Sequence, residues 1–266
     1  MTGTAWPIDL PDCITVEQRG EIGLIALNRP KKRNALSDEI VLGLDKAFSH
    51  IPDGIKAVVL HGIGDHFCAG LDLNELRETT TFEGMQTSVI GQGLNNTIQF
   101  ARVPVIAVLK GAVIGGGFEL AASAHIRVAE PTAFYALPEG TRGIFLGSGG
   151  TVRLPRLIGT AVVMDMMLTG RVFNAADAHT ELRFSQYLVE EDAGVDKALE
   201  LAAAVAKNGE ISNFGIIQAL PRIADIDPTT GLFTELLMAG IAQDSPEAKA
   251  RLREFLEMKM NKVKQG

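Results

Sequence analysis

Two apolar strands, each followed at once by a glycine-rich turn and then by helical sequence, constrain the fold of this chain more than any other feature. Residues 56–61 (KAVVLH) precede the turn GIGDHFCAGLDL. Residues 103–109 are followed by Lys110-Gly111, the loop AVIGGG and the helical stretch FELAASAH. An apolar run of this length is typical of a strand that is covered on both faces. Alternating strands and helices therefore predict an α/β fold with crossover connections.

The remaining signals favour the same class. Residues 13–18 and 22–27 are β-rich runs separated by Arg-Gly-Glu, which predicts a hairpin. Ser37 precedes an apolar period of 3.6 residues, which predicts a capped amphipathic helix that ends near residue 50. The pattern further predicts a helix at 83–101 and short strands at 126–129 and 133–136.

The last third of the chain is helical in pattern. Helical stretches begin at residue 161 and recur at 194–207 and 230–262, and the final one opens with Ser245 and a proline at the first helical position. We therefore predict a core domain at residues 1–200 that carries the active site. Residues 201–266 are predicted to form a helical module that packs on a partner subunit and covers the site.

Composition restricts the classes of partner. Hydrophobic residues make up 46% of the 266 residues, as in an ordinary globular protein. The net charge of −7 repels phosphate backbones, so no nucleic acid partner is expected. The basic run Arg29–Arg33 is either a solvated turn or a patch for a small anionic cofactor. Cys13 and Cys68 lie in no CxxC or Cys/His cluster, so neither a metal nor a disulfide is expected.

The sequence shows the pattern of neither a signal peptide nor a membrane-spanning segment. The first twelve residues, MTGTAWPIDLPD, have neither the basic region nor the apolar core of a signal peptide. No stretch approaches 18 uninterrupted apolar residues, so the sequence predicts no membrane association. A reduced, cytoplasmic location is the expectation.

The two glycine-rich turns predict a site for an oxyanion. The first N–H groups of a helix have no partner within it, and glycine allows a substrate to approach the main chain closely. Two such turns side by side would offer two donors to a thioester enolate or a tetrahedral oxyanion. Packing alone could also require such turns. Phosphate binding is disfavoured, because the chain has no GxxxxGK[ST] and no GxGxxG after its first strand.

Two glutamates near these turns are candidates for proton transfer. Glu119 lies two residues after the triple glycine, in the first turn of an apolar helix, and Glu139 lies in the segment Leu-Pro-Glu-Gly. Apolar surroundings raise the pKa of a carboxyl group into the range that is useful for acid–base catalysis. Two carboxyl groups at one substrate carbon can divide the roles of acid and base. Taken singly, Glu119 could instead serve the helix dipole and Glu139 an exposed turn.

Together with other segments, these residues resemble a known family. The resemblance is to the crotonase (enoyl-CoA hydratase/isomerase) superfamily, and it extends over essentially the whole length. The matching segments are Asn28-Arg-Pro with Arg33-Asn-Ala-Leu, Phe67-Cys-Ala-Gly-Leu-Asp-Leu, Val103-Pro-Val-Ile-Ala, Gly111 with Gly115-Gly-Gly-Phe-Glu-Leu-Ala, Leu137-Pro-Glu, Gly147-Ser-Gly-Gly-Thr and Leu168-Thr-Gly.

The resemblance implies a spiral of repeated ββα units with a C-terminal helical part that supports a homotrimer or a dimer of trimers. It implies an acyl-CoA substrate, no metal or redox cofactor, and coenzyme A only as part of that substrate. The oxyanion donors are then the N–H groups of Leu71 and Gly116. The residues expected to contact substrate or CoA are Lys31, Arg33, Ala69, Asp72, Gly115, Gly147 and Lys259.

Members of the family that hydrate 2-enoyl-CoA thioesters resemble this chain in having both glutamates. The implied reaction is hydration to a 3-hydroxyacyl-CoA, or its reverse, in which Glu119 takes the proton of the water and Glu139 handles the proton at the α-carbon. The alternative is another reaction of the family: double-bond isomerisation, a hydratase-lyase reaction or thioester hydrolysis.

Gly140-Thr-Arg follows Glu139 where aliphatic residues are usual in the family, so the resemblance does not identify the acyl chain of the substrate. Arg142 could face a polar acyl chain or form an ion pair at the surface.

Overall fold

The computed structural model describes Trp6, residues 8–72, Glu75 and residues 78–264, with side chains up to Glu257. The chain divides into two compact units, with the boundary between Ala204 and Val205. The first unit contains all the strands of the described ranges, and the second contains helices.

Nine strands form within the described residues. In chain order they are β1 Ile14–Arg19, β2 Ile22–Leu27, β3 Ala57–Gly62, β4 Val105–Leu109, β5 Ala112–Ile114, β6 Ile126–Ala129, β7 Phe134–Ala136, β8 Val172–Asn174 and β9 Tyr187–Leu188. Six of them form a sheet in the order β1-β2-β3-β4-β6-β9, and three form a smaller sheet in the order β5-β7-β8. The β1–β2 pair is antiparallel, which confirms the predicted hairpin, and β2, β3, β4, β6 and β9 pair in parallel.

The helices of the described ranges follow in the order α1 Asp38–Ser49, α2 Thr81–Gln99, α3 Gly116–Ser123, α4 Gly150–Ile158, α5 Thr160–Thr169, α6 Ala175–Thr180, α7 Gly194–Ala206, α8 Glu210–Ile223, α9 Pro228–Asp244 and α10 Pro246–Lys264. Successions such as β1–β2–α1 and β4–β5–α3 are ββα units. The predicted α/β fold, a spiral of ββα units with a helical C-terminal part, is thereby confirmed.

One local prediction was wrong, and one helix was missed. The sequence AVIGGG was predicted to be a loop, but its residues Ala112–Ile114 form β5, which pairs with β7. Such a short strand is formed by its neighbours and has no pattern of its own. Helix α4 lies before the predicted helical start at residue 161, because its opening glycines and the internal Pro155 hide its periodicity.

Helix α3 lies in the core of the first unit. All eight of its residues are buried, and Phe118 packs against Tyr135 and Phe184 with ring centroids 5.4 and 4.7 Å away. Full burial of such a side chain contributes about 1.5–3 kcal/mol. The apolar surroundings therefore hold this helix, and with it Glu119, in a fixed position.

The secondary-structure elements in the described part of the second unit are all helices. Helices α8 and α9 pack together, and α9 is capped by Asp227, whose carboxylate accepts hydrogen bonds from the N–H groups of Thr229 and Thr230. Exposed apolar side chains lie along α9 and α10, among them Leu232, Phe233, Leu236, Leu237, Leu252, Phe255 and Leu256. Among the described helices, none combines the length and the apolar character needed to cross a bilayer.

Asn34 fastens the segment after β2 to the turn after β3. Its side chain is fully buried, and its amide nitrogen donates to the carbonyl oxygens of Ile63 and His66 at 3.1 and 2.7 Å. Its amide oxygen accepts from the N–H of Arg29 at 2.8 Å. One side chain therefore satisfies three main-chain groups in two loops.

The replacement Asn34→Ala removes all three hydrogen bonds and leaves their main-chain partners unsatisfied. We expect it to lower the free energy of unfolding by about 2–4 kcal/mol, measured by urea denaturation. Lys32→Ala, in the adjacent exposed turn, is the control and should change the free energy of unfolding by less than about 0.5 kcal/mol. Equal effects of the two replacements would show that Asn34 holds nothing together.

Candidate active site

The glycine-rich turns after β3 and after β5 lie side by side. The N–H of Cys68 donates to the carbonyl of Ala112 at 2.9 Å, and the N–H of Ile114 donates to the carbonyl of Cys68 at 3.1 Å. The N–H of Phe67 donates to Lys110 at 2.7 Å. These main-chain bonds fix the register of the first turn against β5 and the start of α3.

The close approach continues at Gly70 and Gly116. A Cβ atom on Gly70, which has φ +87°, would lie 2.7 Å from the carbonyl oxygen of Ile114 and 3.5 Å from the nitrogen of Gly116. A Cβ atom on Gly116 would lie 4.0 Å from the nitrogen of Leu71. Within the described part of the chain, the N–H groups of Leu71 and Gly116 donate to no acceptor. The structure thus brings together the two N–H groups that the family resemblance implies as oxyanion donors.

The segment before α1 supports the same turn from the other side. The N–H of Leu36 donates to the carbonyl of Gly70 at 2.7 Å, and the N–H of Asp72 donates to Leu36 at 2.9 Å. Arg29 forms an ion pair with the buried carboxylate of Asp72 at 2.9 Å. Leu71 is therefore held by main-chain bonds at both neighbouring residues.

Glu119 is 3% exposed and lies in the first turn of α3. Its Oε1 atom accepts two main-chain hydrogen bonds, from the N–H of Ser148 at 2.9 Å and from the N–H of Gly150 at 2.8 Å. A Cβ atom on Gly150 would lie 2.5 Å from Cγ of Glu119, so only glycine allows this approach. Both bonds go to one oxygen atom of the carboxylate.

Glu139 is 7% exposed and lies between β7 and a 3₁₀ turn at Gly140–Arg142. Its Oε1 atom lies against the α-carbon of Gly115, the residue that caps α3 and has φ +51°. Its Oε2 atom is buried and has no hydrogen-bond partner among the described residues. The two carboxyl groups therefore flank the beginning of one helix, and one oxygen atom of Glu139 is unpaired.

Burial raises the pKa of both glutamates. Burial is the largest cause at Glu119, where the negative charge of Glu139 adds to it. The Ser148 and Gly150 hydrogen bonds and the charge of Arg153 act in the opposite direction, and the resulting pKa is about 7. Burial raises the pKa of Glu139 as well, against an opposing effect of the charge of Arg142. A carboxyl group with a pKa near 7 can both accept and donate a proton at neutral pH.

The predicted CoA contacts lie on several different elements. Lys31 and Arg33 are exposed on the turn that follows β2, and Ala69 is half-buried in the first glycine-rich turn. Gly147 is half-buried beside Ser88 of α2. Gly115 and Asp72 have been described above. The side chain of Lys259 lies outside the described residues.

Sequence reasoning missed the groups that hold Glu119. The segment Gly147-Ser-Gly-Gly-Thr carried part of the resemblance, but no role was predicted for the N–H groups of Ser148 and Gly150. Arg153 was not predicted to have a role either, although it is buried behind this segment. The repeated glycines immediately before a helix were the available signal, because they permit a helix N-terminus to approach a side chain.

The model of the enoyl-CoA hydratase/isomerase family matches residues 17–265. This chain belongs to that family. The resemblance seen in the sequence is thereby confirmed, and the protein is an enzyme of the crotonase type.

Individual relatives agree with this assignment. The chain is 30% identical over 247 residues to the short-chain-enoyl-CoA hydratase of Clostridium acetobutylicum, covering 92% of this chain and 94% of the relative. A solved structure from Rhodopseudomonas palustris, provisionally named as an enoyl-CoA hydratase, has a TM-score of 0.91 and 56% identity, and the match covers 96% of this chain and 99% of that one. The enoyl-CoA hydratase of Bacillus anthracis has a TM-score of 0.87 and 29% identity, with 93% and 97% covered.

The buried carboxylate of this crotonase-type enzyme destabilises its fold. The pKa of Glu119 is about 7 instead of 4.5, a difference of 2.5 units, so its ionised form costs about 3 kcal/mol in the folded state. Because the pKa of Glu119 is raised in the folded state, its burial costs no stability below pH 4.5. The cost grows as the pH rises from 4.5 to about 7, and it is complete above 7. Glu119→Gln should therefore raise the free energy of unfolding by up to about 3 kcal/mol at pH 8 and by less at pH 5.

Urea denaturation at the two pH values measures this difference. Glu191→Gln, at an exposed position, is the matched control and should show no such gain. A wild-type enzyme that is more stable than Glu119→Gln at pH 8 would contradict the prediction.

Proposed function

We propose that this enzyme adds water to a 2-enoyl-CoA thioester to give a 3-hydroxyacyl-CoA, or catalyses the reverse reaction. The observation that carries the proposal is the pair of buried glutamates that flank the start of α3. The N–H of Gly116 at that helix start lies beside the N–H of Leu71. Proton-transfer groups and oxyanion donors therefore converge on one small region.

In the proposed reaction the thioester carbonyl oxygen accepts hydrogen bonds from Leu71 and Gly116. Negative charge develops on this oxygen when water attacks the β-carbon and an enolate forms. Main-chain donors that are already in place stabilise this charge more strongly than they stabilise the neutral substrate, and each contributes roughly 3–4 kcal/mol to lowering the barrier.

The two glutamates handle the protons. Oε1 of Glu119 already accepts hydrogen bonds from two N–H groups, so its Oε2 atom takes the proton of the attacking water. The hydroxyl group of that water bonds to the β-carbon. Glu139 gives a proton from its unpaired Oε2 atom to the α-carbon as the enolate collapses. Water is then added across the double bond, and the two carboxyl groups have exchanged protonation states. The proposal assigns no step to a metal or a redox cofactor.

The remaining proposals concern binding and assembly. Lys31, Arg33 and Lys259 would supply positive charge for the phosphates of CoA, and Ala69, Asp72, Gly115 and Gly147 would line its path. The exposed apolar side chains of α9 and α10 support assembly into a homotrimer or a dimer of trimers. The proposed location is the cytoplasm. Coenzyme A enters only as part of the substrate.

Glu119→Gln and Glu139→Gln should each lower kcat for hydration by roughly 10²–10⁴, the range for a positioned acid–base group, and leave CoA affinity unchanged. The substrate is a panel of 2-enoyl-CoA thioesters that differ in chain length, branching and terminal polarity. Mass spectrometry identifies the product, because hydration adds one water molecule whereas isomerisation leaves the mass unchanged and hydrolysis releases free CoA.

The panel also decides the main question. A wild-type enzyme that isomerises or hydrolyses every member without hydrating any would sink the proposal. Full hydratase activity of Glu139→Gln would remove the second glutamate from the mechanism.

Gly116→Val should abolish activity on every acyl-CoA, because all of them share the thioester. The structure places the added Cβ atom in the gap between Gly116 and the nitrogen of Leu71, 3.1 Å from a methyl group of Leu36. A branched side chain there would occupy the space of the carbonyl oxygen. Steady-state kinetics with two thioesters of different length checks this.

Leu71→Ala is the matched control for Gly116→Val. Its main-chain N–H survives, and its side chain is exposed, so the activity should fall only mildly. Activity retained in Gly116→Val would place the oxyanion elsewhere.

A further inference from the structure

Both N–H groups that bind Glu119 belong to peptide units whose carbonyl oxygens are held on the opposite side. The N–H of Ser148 shares its peptide unit with the carbonyl of Gly147. That carbonyl accepts a hydrogen bond from Nε2 of Gln92, on α2, at 3.1 Å. A line of two hydrogen bonds therefore runs from the Gln92 amide through one peptide unit to Oε1 of Glu119.

The second peptide unit repeats the arrangement. The N–H of Gly150 shares its unit with the carbonyl of Gly149, which accepts from Nη1 of Arg153 at 3.3 Å. The intervening unit is held as well, since the carbonyl of Ser148 accepts from Nδ2 of Asn95 at 2.9 Å. Each peptide that touches Glu119 is thus fixed at both of its ends.

Arg153 is held in place by neutral groups. It is 7% exposed, its Nε donates to Oε1 of Gln99 at 2.6 Å, and its Nη2 donates to Oδ1 of Asn96 at 2.6 Å. Among the described residues, no carboxylate lies within ion-pair distance of its guanidinium group. Its positive charge is therefore not neutralised locally and acts on Glu119 across the segment 148–150.

We propose that Gln92 and Arg153 are positioning residues that hold Glu119 in its ionised, proton-accepting form through these two peptide units. A hydrogen bond to a peptide carbonyl polarises the unit and strengthens its N–H as a donor. A stronger donor favours the ionised carboxylate that accepts from it. The proposal rests on the proposed role of Glu119 as the base for water.

The two oxygen atoms of the Glu119 carboxylate also have different surroundings, because both N–H groups donate to Oε1. Because Oε1 receives both polarised N–H groups, protonation there would break two hydrogen bonds. Proton exchange is therefore confined to Oε2. Two charged groups act on the carboxylate: Glu139 opposes its ionisation and Arg153 favours it, while α2 contributes the neutral amides of Gln92 and Asn95.

The test is the pH dependence of kcat/KM for hydration of but-2-enoyl-CoA. In the wild type the rate should fall as pH drops through about 7, where Glu119 becomes protonated. This fall on the low-pH side of the profile is its acid limb. Gln92→Leu changes an exposed side chain and should move this acid limb upward by about 0.3 pH unit. Arg153→Gln should move it upward by about one unit, and Arg153→Lys, which keeps the charge, by less than half of that.

Gln86→Leu, on the exposed part of the same helix, is the control and should leave the limb in place. A purely structural role predicts a different result, in which the Gln92 and Arg153 variants lower kcat and the limb stays at the wild-type pH. That result would overturn the proposal, and the Gln92 variant provides it even if the Arg153 variants fail to fold.

A second measurement separates this inference from the proposed function. Infrared titration of the substrate-free enzyme, with Glu119→Gln subtracted, follows the carboxyl band of Glu119 directly. A wild-type enzyme without hydratase activity would refute the function. The infrared midpoints of the same variants would still test the inference, and unchanged midpoints would refute it.

Discussion

The contact on which the site depends is the approach of two main-chain turns to a distance that side chains do not allow. Gly70 lies against the carbonyl of Ile114, and Gly117 lies against the main chain of Cys68. Main-chain hydrogen bonds between Cys68 and β5 hold the turns together. A Cβ atom at either glycine would force the turns apart, and the N–H groups of Leu71 and Gly116 would then no longer be neighbours.

The same contact explains the cost of the site. Helix α3 begins where the turns meet and continues into the apolar core, so Glu119 in its first turn loses its hydration. Within the described contacts, its charge is compensated by two peptide N–H groups and by the positive charge of Arg153 behind them. Stability and proton affinity are consequently set by the same burial, and an enzyme with a more hydrated Glu119 would have a stabler fold and a weaker base.

Sequence reasoning predicted what local patterns determine. The hairpin, the strands β3 and β4 and the capped helix α1 follow from periodicity and from Ser37, whose hydroxyl oxygen accepts from the N–H of Ile40. The glutamates and glycines were found because their residue types are unusual in apolar segments. The hydrogen bonds of Gln92, Asn95 and Arg153 could not be predicted, because they join α2 to a segment more than fifty residues away and follow no period. The strand β5 was missed for the same physical reason, since it exists through its neighbours.

The two donors that bind Glu119, from Ser148 and Gly150, and the two donors proposed for the thioester oxygen, from Leu71 and Gly116, are all main-chain N–H groups. Every residue except proline carries such a donor, so the chemistry is encoded in backbone shape and not in the side chains at Leu71 or Ser148. Drift in sequence can then replace much of the surrounding surface without touching the reaction. Besides the two glutamates, what selection must retain are the few places where the chain has no side chain at all.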